Sequence, residues 1–191
     1  GLVSDSAAPV LTLPILNVEQ RKKVIAASSG PVVEHDAALL TLPCLFDAQS
    51  GKTPDAVALI YEDQHLSYGD LASRSNQLAR YLIERGVGPD AVVAILLDRS
   101  FEMIVAMLGV LKAGGAYLPL DPEYPAQRLS FMIGDSGSVF VISDGALYAG
   151  LDTQDAVLPP QIDVYDAALL QQLQALPCLL YTSDAADDVN G

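Results

Sequence analysis

The run Leu111-Lys112-Ala113-Gly114-Gly115-Ala116-Tyr117-Leu118-Pro119-Leu120-Asp121 packs a helix end, a strand and a stiff exit into one short stretch. Before it, Phe101–Lys112 is apolar nearly all the way round and Ser100 stands where a helix cap belongs, so a helix ending at Lys112 is predicted. A cation in the last turn suits the negative end of the helix dipole. Gly114-Gly115 then stop the helix, because glycine enters left-handed backbone without the penalty of a Cβ. Ala116–Leu120 reads as a strand, and Pro119, Pro122 and Pro125 stiffen the chain that leaves it. The glycine pair follows a helix, whereas an anion-binding loop precedes one and offers free N–H groups. Its expected job is chain reversal and close packing.

Outward from this run the same grammar repeats. Ala91–Leu97 is a continuous apolar strand, as expected where both sheet faces are covered. Upstream, Val57–Tyr61 is a strand that Glu62-Asp63-Gln64-His65 turns back through Leu66. Ser67, with Asp70 three residues on, caps a helix that ends at Gly86. Leu71, Leu78 and Leu82 share one stripe of that helix, beside Ala72 and Ala79. Asp70–Arg74 and Arg80–Glu84 are spaced for ion pairs on its wet side. Leu45–Ser50 is a short helix before the turn Thr53-Pro54-Asp55. Pro125 opens a helix through Ile133, and Val139–Ile142 is expected as the last strand. Alternating strands and helices imply an α/β fold with a mostly parallel sheet and flanking helices. Gly1–Leu42 lacks sustained periodicity apart from a helix-like patch at Val18–Ala27, so residues 1–42 read as linker.

The 191 residues suffice for one domain, and the net charge of −14 argues against nucleic acid, whose phosphates need clustered Lys and Arg. With 51% hydrophobic residues and a positive mean hydropathy, the composition suits part of a larger body whose remainder covers apolar surface. The longest apolar runs, Ala91–Leu97 and Met103–Leu111, fall far short of the roughly 18–20 residues of a membrane span. Cys44 and Cys178 form neither a disulfide framework nor a metal spacing, and a reducing cytoplasm fits them best. His35 and His65 stand far apart among loop-like residues. Ser50-Gly51-Lys52-Thr53 imitates the end of a Walker loop, but Phe46 occupies the required glycine position and Pro54 interrupts any following helix.

Several of these stretches together resemble the adenylation domains of nonribosomal peptide synthetases, in the adenylate-forming superfamily of AMP-dependent synthetases and ligases. Leu66-Ser67-Tyr68-Gly69-Asp70-Leu71 resembles their first core motif, with Asp70 in place of the usual Glu, and Leu111–Asp121 closely resembles the second. Thr53-Pro54-Asp55-Ala56-Val57-Ala58, Gly86-Val87-Gly88-Pro89 and Asp121-Pro122-Glu123-Tyr124-Pro125 fit the flanking pattern. Leu13-Pro14-Ile15-Leu16-Asn17-Val18-Glu19-Gln20-Arg21 resembles the connector after a condensation domain. The resemblance covers Leu45–Ile142 strongly and both flanks weakly. It implies an incomplete N-terminal subdomain of an adenylate-forming enzyme: residues 1–42 as linker and 43–177 as the truncated domain. Cys178–Asp188 resembles instead one reading frame of a sequencing adapter, making 178–191 a non-native tail. Tyr181-Thr182-Ser183 imitates the opening of the family's phosphate loop, but Asp184, Asp187 and Asp188 follow, and carboxylates there would repel a triphosphate.

For the parent the resemblance implies ATP, magnesium and an amino acid as reactants, and the phosphopantetheine thiol of a carrier protein as acyl acceptor. Condensation and carrier domains of the same assembly line would be its partners, with neither nucleic acid nor membrane. The amino-acid pocket, nucleotide contacts and catalytic Lys lie beyond this stretch in the family. No catalytic, cofactor-binding or metal-binding residue is therefore carried over. An acyl-CoA ligase fragment of the same superfamily and a non-catalytic partner-binding module are the competing readings.

Overall fold

Apolar runs with no polar alternation can form strands only where both faces of a sheet are covered, and that is the arrangement found. The computed structural model describes residues 16–30, 41–153 and 157–179. The chain divides into two compact units, residues 1–37 and 38–191. In the first, helix α1 (Val18–Ser28) begins with a reciprocal capping box between Asn17 and Gln20, and none of its residues is buried.

The second unit opens with α2 (Leu42–Lys52), which starts earlier than the apolar pattern suggests because Thr41 caps it and Pro43 suits its first turn. Strands β1 (Val57–Tyr61) and β2 (Gln64–Ser67) form an antiparallel hairpin. Gln64 and His65 pair with Tyr61 and Ile60, so the turn is only Glu62-Asp63, with Glu62 at φ 52°. The order continues as α3 (Tyr68–Ile83), β3 (Val92–Leu96), α4 (Phe101–Lys112), β4 (Ala116–Leu120), α5 (Ala126–Asp135), β5 (Phe140–Ser143), α6 (Gly145–Ala149), β6 (Gln161–Asp163) and α7 (Ala167–Ala175).

The sheet runs β4-β3-β5-β6 with every pairing parallel. It therefore extends one strand beyond the expected last one. β6 is three residues long with one buried side chain, Ile162, too short to show a period in the sequence. Alternate residues of β3 serve opposite cores. Val93, Ile95 and Leu97 pack with Leu78, Leu82 and Val110 of α3 and α4, while Ala94 and Leu96 pack with Leu129 and Ile133 of α5. Chain direction reverses across the sheet after β4, and the connecting helix changes face at the same point. The connections through α4 and α5 thereby keep one hand.

Two helix ends close in the same way. Gly86, at φ 86°, donates to Ile83 and Val87 donates to Leu82; Gly114, at φ 83°, donates to Leu111 and Gly115 to Val110. These are Schellman pairs, which satisfy carbonyls a helix otherwise leaves open. The ion pairs expected along α3 do not form. Arg74 faces Glu102 of α4 at 3.9 Å, and Arg80 donates to the Leu179 carbonyl in the chain that follows α7, neighbours that spacing within α3 cannot reveal.

A paired substitution separates these glycine roles. A Cβ on Gly115 would sit 2.9 Å from Val87 Cγ1 and 3.1 Å from the Ala91 carbonyl, while one on Gly134 meets nothing within 4 Å. Gly115→Ala should lower unfolding stability by about 1–3 kcal/mol, and Gly134→Ala should raise it by up to about 1 kcal/mol. Urea titrations followed by circular dichroism check both.

Candidate functional site

The end of α4 is where the Leu111–Asp121 run meets the rest of the unit. Ser100 caps the start of this helix by accepting from the Met103 amide at 3.2 Å, which sets where the helix begins. Three turns on, Lys112 does more than complement the dipole. Its side chain is 1% exposed, and its Nζ donates to Asp47 Oδ1 of α2 at 2.7 Å and to Asn76 Oδ1 of α3 at 2.5 Å. The ammonium also lies 4.9 Å from the centroid of Phe46, whose ring is 5.9 Å from that of Tyr68. One cation thus joins three helices. Burial pushes Lys112 below the ordinary lysine value, with the hydrogen bond and charge of Asp47 opposing that shift.

Asn76 completes the arrangement. It is 8% exposed and sits among the apolar residues of the α3 stripe, giving its Nδ2 to the Cys178 carbonyl at 2.7 Å. Gln77 donates to the Leu176 carbonyl at 3.2 Å. α3 therefore holds the chain leaving α7 through main-chain oxygens, which any sequence supplies. Asp47 was not readable as the partner of Lys112 from its position 65 residues away, but an asparagine on an apolar stripe is a signal that could have marked Asn76.

The Gly114 and Gly115 amides are spent on Leu111 and Val110, so neither points at open space to receive an anion. Ser50-Gly51-Lys52 belongs to the last turn of α2 and leads into no helix. His65 is exposed in β2 and Cys44 is exposed on α2. His35 and Tyr181–Asp188 lie outside the described residues. At the carboxyl ends of β3 and β4 a depression of about 640 Å³ is bordered by Asp98, Asp121 and Glu123, against the single guanidinium of Arg99. Across the ends of β5 and β6, burial raises the Tyr165 hydroxyl above its ordinary range. Its hydrogen bond with Ser100 works against this, and the charges of Glu102, Asp144 and Asp98 add to it. Among the described residues no three His, Cys, Asp or Glu side chains gather to hold a metal, and no helix is long and apolar enough to cross a membrane. These groups do not fit a triphosphate with its magnesium, since carboxylates outnumber cations where strand ends meet.

The fold and the Lys112 run have recognisable kin. The sequence profile of the AMP-binding enzyme family matches residues 46–185, and the chain belongs to that family. More particularly, it is similar to peptide synthetases. It is 37% identical over 174 residues to tyrocidine synthase 2 of Brevibacillus parabrevis, a match covering 91% of this chain and 5% of the relative. It is 42% identical over 165 residues to bacitracin synthase 3 of Bacillus licheniformis, covering 79% of this chain and 2% of the relative. Among solved structures it is similar to the AMPPNP-bound nonribosomal peptide synthetase FmoA3, with a TM-score of 0.68, 28% identity, and coverage of 85% of this chain and 17% of that one. The chain thus spans a small fraction of the curated relatives it matches.

Replacing Lys112 tests the junction. Lys112→Met leaves the buried Asn76 oxygen without its donor, whereas Asp47, with a side chain 46% exposed, recovers water. The expected cost near neutral pH is about 1–3 kcal/mol in urea unfolding. The sign of the pH dependence is also set. The unfolded chain holds the Lys112 proton more tightly than the folded one, so the native chain gains stability as pH rises toward the ordinary lysine value. The Lys112→Met chain lacks that gain, and the gap between the two urea midpoints widens with pH.

Proposed function

We propose that this chain is the N-terminal part of an amino-acid-activating adenylation domain. In the parent enzyme, ATP and an amino acid yield aminoacyl-AMP and pyrophosphate, and the acyl group passes to a carrier protein's phosphopantetheine thiol. The observation that carries this reading is the Leu111–Asp121 run in its structural setting. It is a helix stop and strand of the AMP-binding family, in a chain whose curated relatives are peptide synthases. ATP and magnesium belong to the parent. So do the partners, namely carrier and condensation domains of a secondary-metabolite assembly line working in the cytoplasm.

In this reading residues 1–42 connect to a preceding condensation domain, residues 43–177 are adenylation domain, and residues 178–191 are translated adapter. The isolated chain is inactive. Its Gly114-Gly115 amides are occupied by the helix stop, and Tyr181-Thr182-Ser183 runs into Asp184, Asp187 and Asp188. Electrostatic stabilisation of a phosphoryl-bearing transition state needs donors and cations, not carboxylates. The acyl-CoA ligase alternative is disfavoured by the relatives, which are peptide synthases. A natural stop codon near Pro177 would support the non-catalytic module instead.

Purified chain assayed for ATP–pyrophosphate exchange with each amino acid in turn should give no signal above a no-enzyme blank. Exchange with any amino acid would overturn the assignment of inactivity. Sequencing the source DNA across codon 178 tests the tail, with genomic sequence departing from Cys-Leu-Leu-Tyr as the expected result.

A further inference from the structure

We propose that α2 is a latch, docking on and releasing from α3 and α4 while those helices stay folded, with the Lys112–Asp47 contact as its catch. The proposal rests on how α2 is attached and not on the adenylation reading. None of its residues is buried, and Leu42 and Leu45 are 64% and 47% exposed. Beside its first turn an open groove of about 370 Å³ is lined by Thr41, Leu42 and Pro43 on one side and Leu111, Lys112 and Gly114 on the other. The polar side-chain attachment of α2 to α4 is the Lys112–Asp47 bond, beside which the Phe46 ring lies between the ammonium and Tyr68. α3 and α4 are joined in another manner: a Cβ on Gly109 would fall 2.9 Å from a Leu78 methyl.

The hinge is equally local. The helix ends with the Thr53 amide donating to Gln49, and immediately afterwards the Pro54–Ala56 segment is pinned to the start of α3. Gly69 donates to the Pro54 carbonyl at 2.8 Å and Tyr68 to the Ala56 carbonyl at 2.9 Å. Rotation at Lys52-Thr53 therefore frees α2 without disturbing β1 or α3. Release also leaves the body side satisfied. Lys112 belongs to α4 and keeps Asn76 as acceptor, while its ammonium regains the water that docking removed. α2 covers Lys112 at the start of the Leu111–Asp121 run. Its release bares the Lys112 end of the motif.

Amide hydrogen exchange on the full chain at neutral pH tests the latch, because local opening is read apart from global unfolding. Amides of residues 46–53 should exchange as one group, faster than those of α3 and α4. Asp47→Asn, at a half-exposed site that threatens no core, should accelerate that group about tenfold, and α3 and α4, which open only with the whole unit, should accelerate by no more than the same factor and remain the slower set. Arg74→Gln, which removes the other ion pair, should leave α2 exchange as in the native chain. The proposal is overturned if Asp47→Asn does not change α2 exchange, or if α2 amides of the native chain exchange no faster than those of α3 and α4.

Discussion

A buried ammonium must be matched by acceptors from whatever surrounds it, and at Lys112 that demand brings α2 and α3 to the end of α4. Position at the C-terminal end of α4 fixes one side through the helix dipole. The remaining capacity is filled by Asp47 and Asn76, which brings α2 and α3 to the same point. Desolvation outweighs the attraction of Asp47, so the charge is held against a cost. Such a junction specifies which helices meet more than it adds net stability.

Around it, close approach is made possible by missing side chains. Gly109 lets α3 and α4 touch through Leu78, and Gly115 lets the chain turn under Val87 into β4. The two Schellman stops, at Gly86 and Gly114, deliver the chain to β3 and β4, which then pair in register from Val92 opposite Ala116. The run that identifies the AMP-binding family is thus an architectural joint. Its residues aim a strand and anchor three helices, and the carboxylates at the strand ends make the depression there a poor host for phosphate.

Much of this was legible locally. The boundaries of α4, β1 and β4 follow from Ser100, from the turn after Tyr61 and from Gly114-Gly115, since caps and glycine stops act over a few residues. The parallel sheet was readable from the continuous apolar run of β3. What was not legible involves short or distant partners. β6 has too few residues to carry a period, and Gln64 and His65 look like turn residues until Tyr61 and Ile60 lie opposite. Arg74 and Arg80 are spaced for partners on their own helix but find others across an interface.

By itself the sequence determined the kind of fold, the family and the sites where helices stop, because those depend on periodicity, on glycine at positive φ and on a recognisable run of residues. Only the tertiary structure decided what Lys112 does. A lysine in a last helical turn suits water and the dipole equally well. Its burial between Asp47, Asn76 and Phe46 depends on two helices far away in sequence, whose approach is set by packing and not by any local preference.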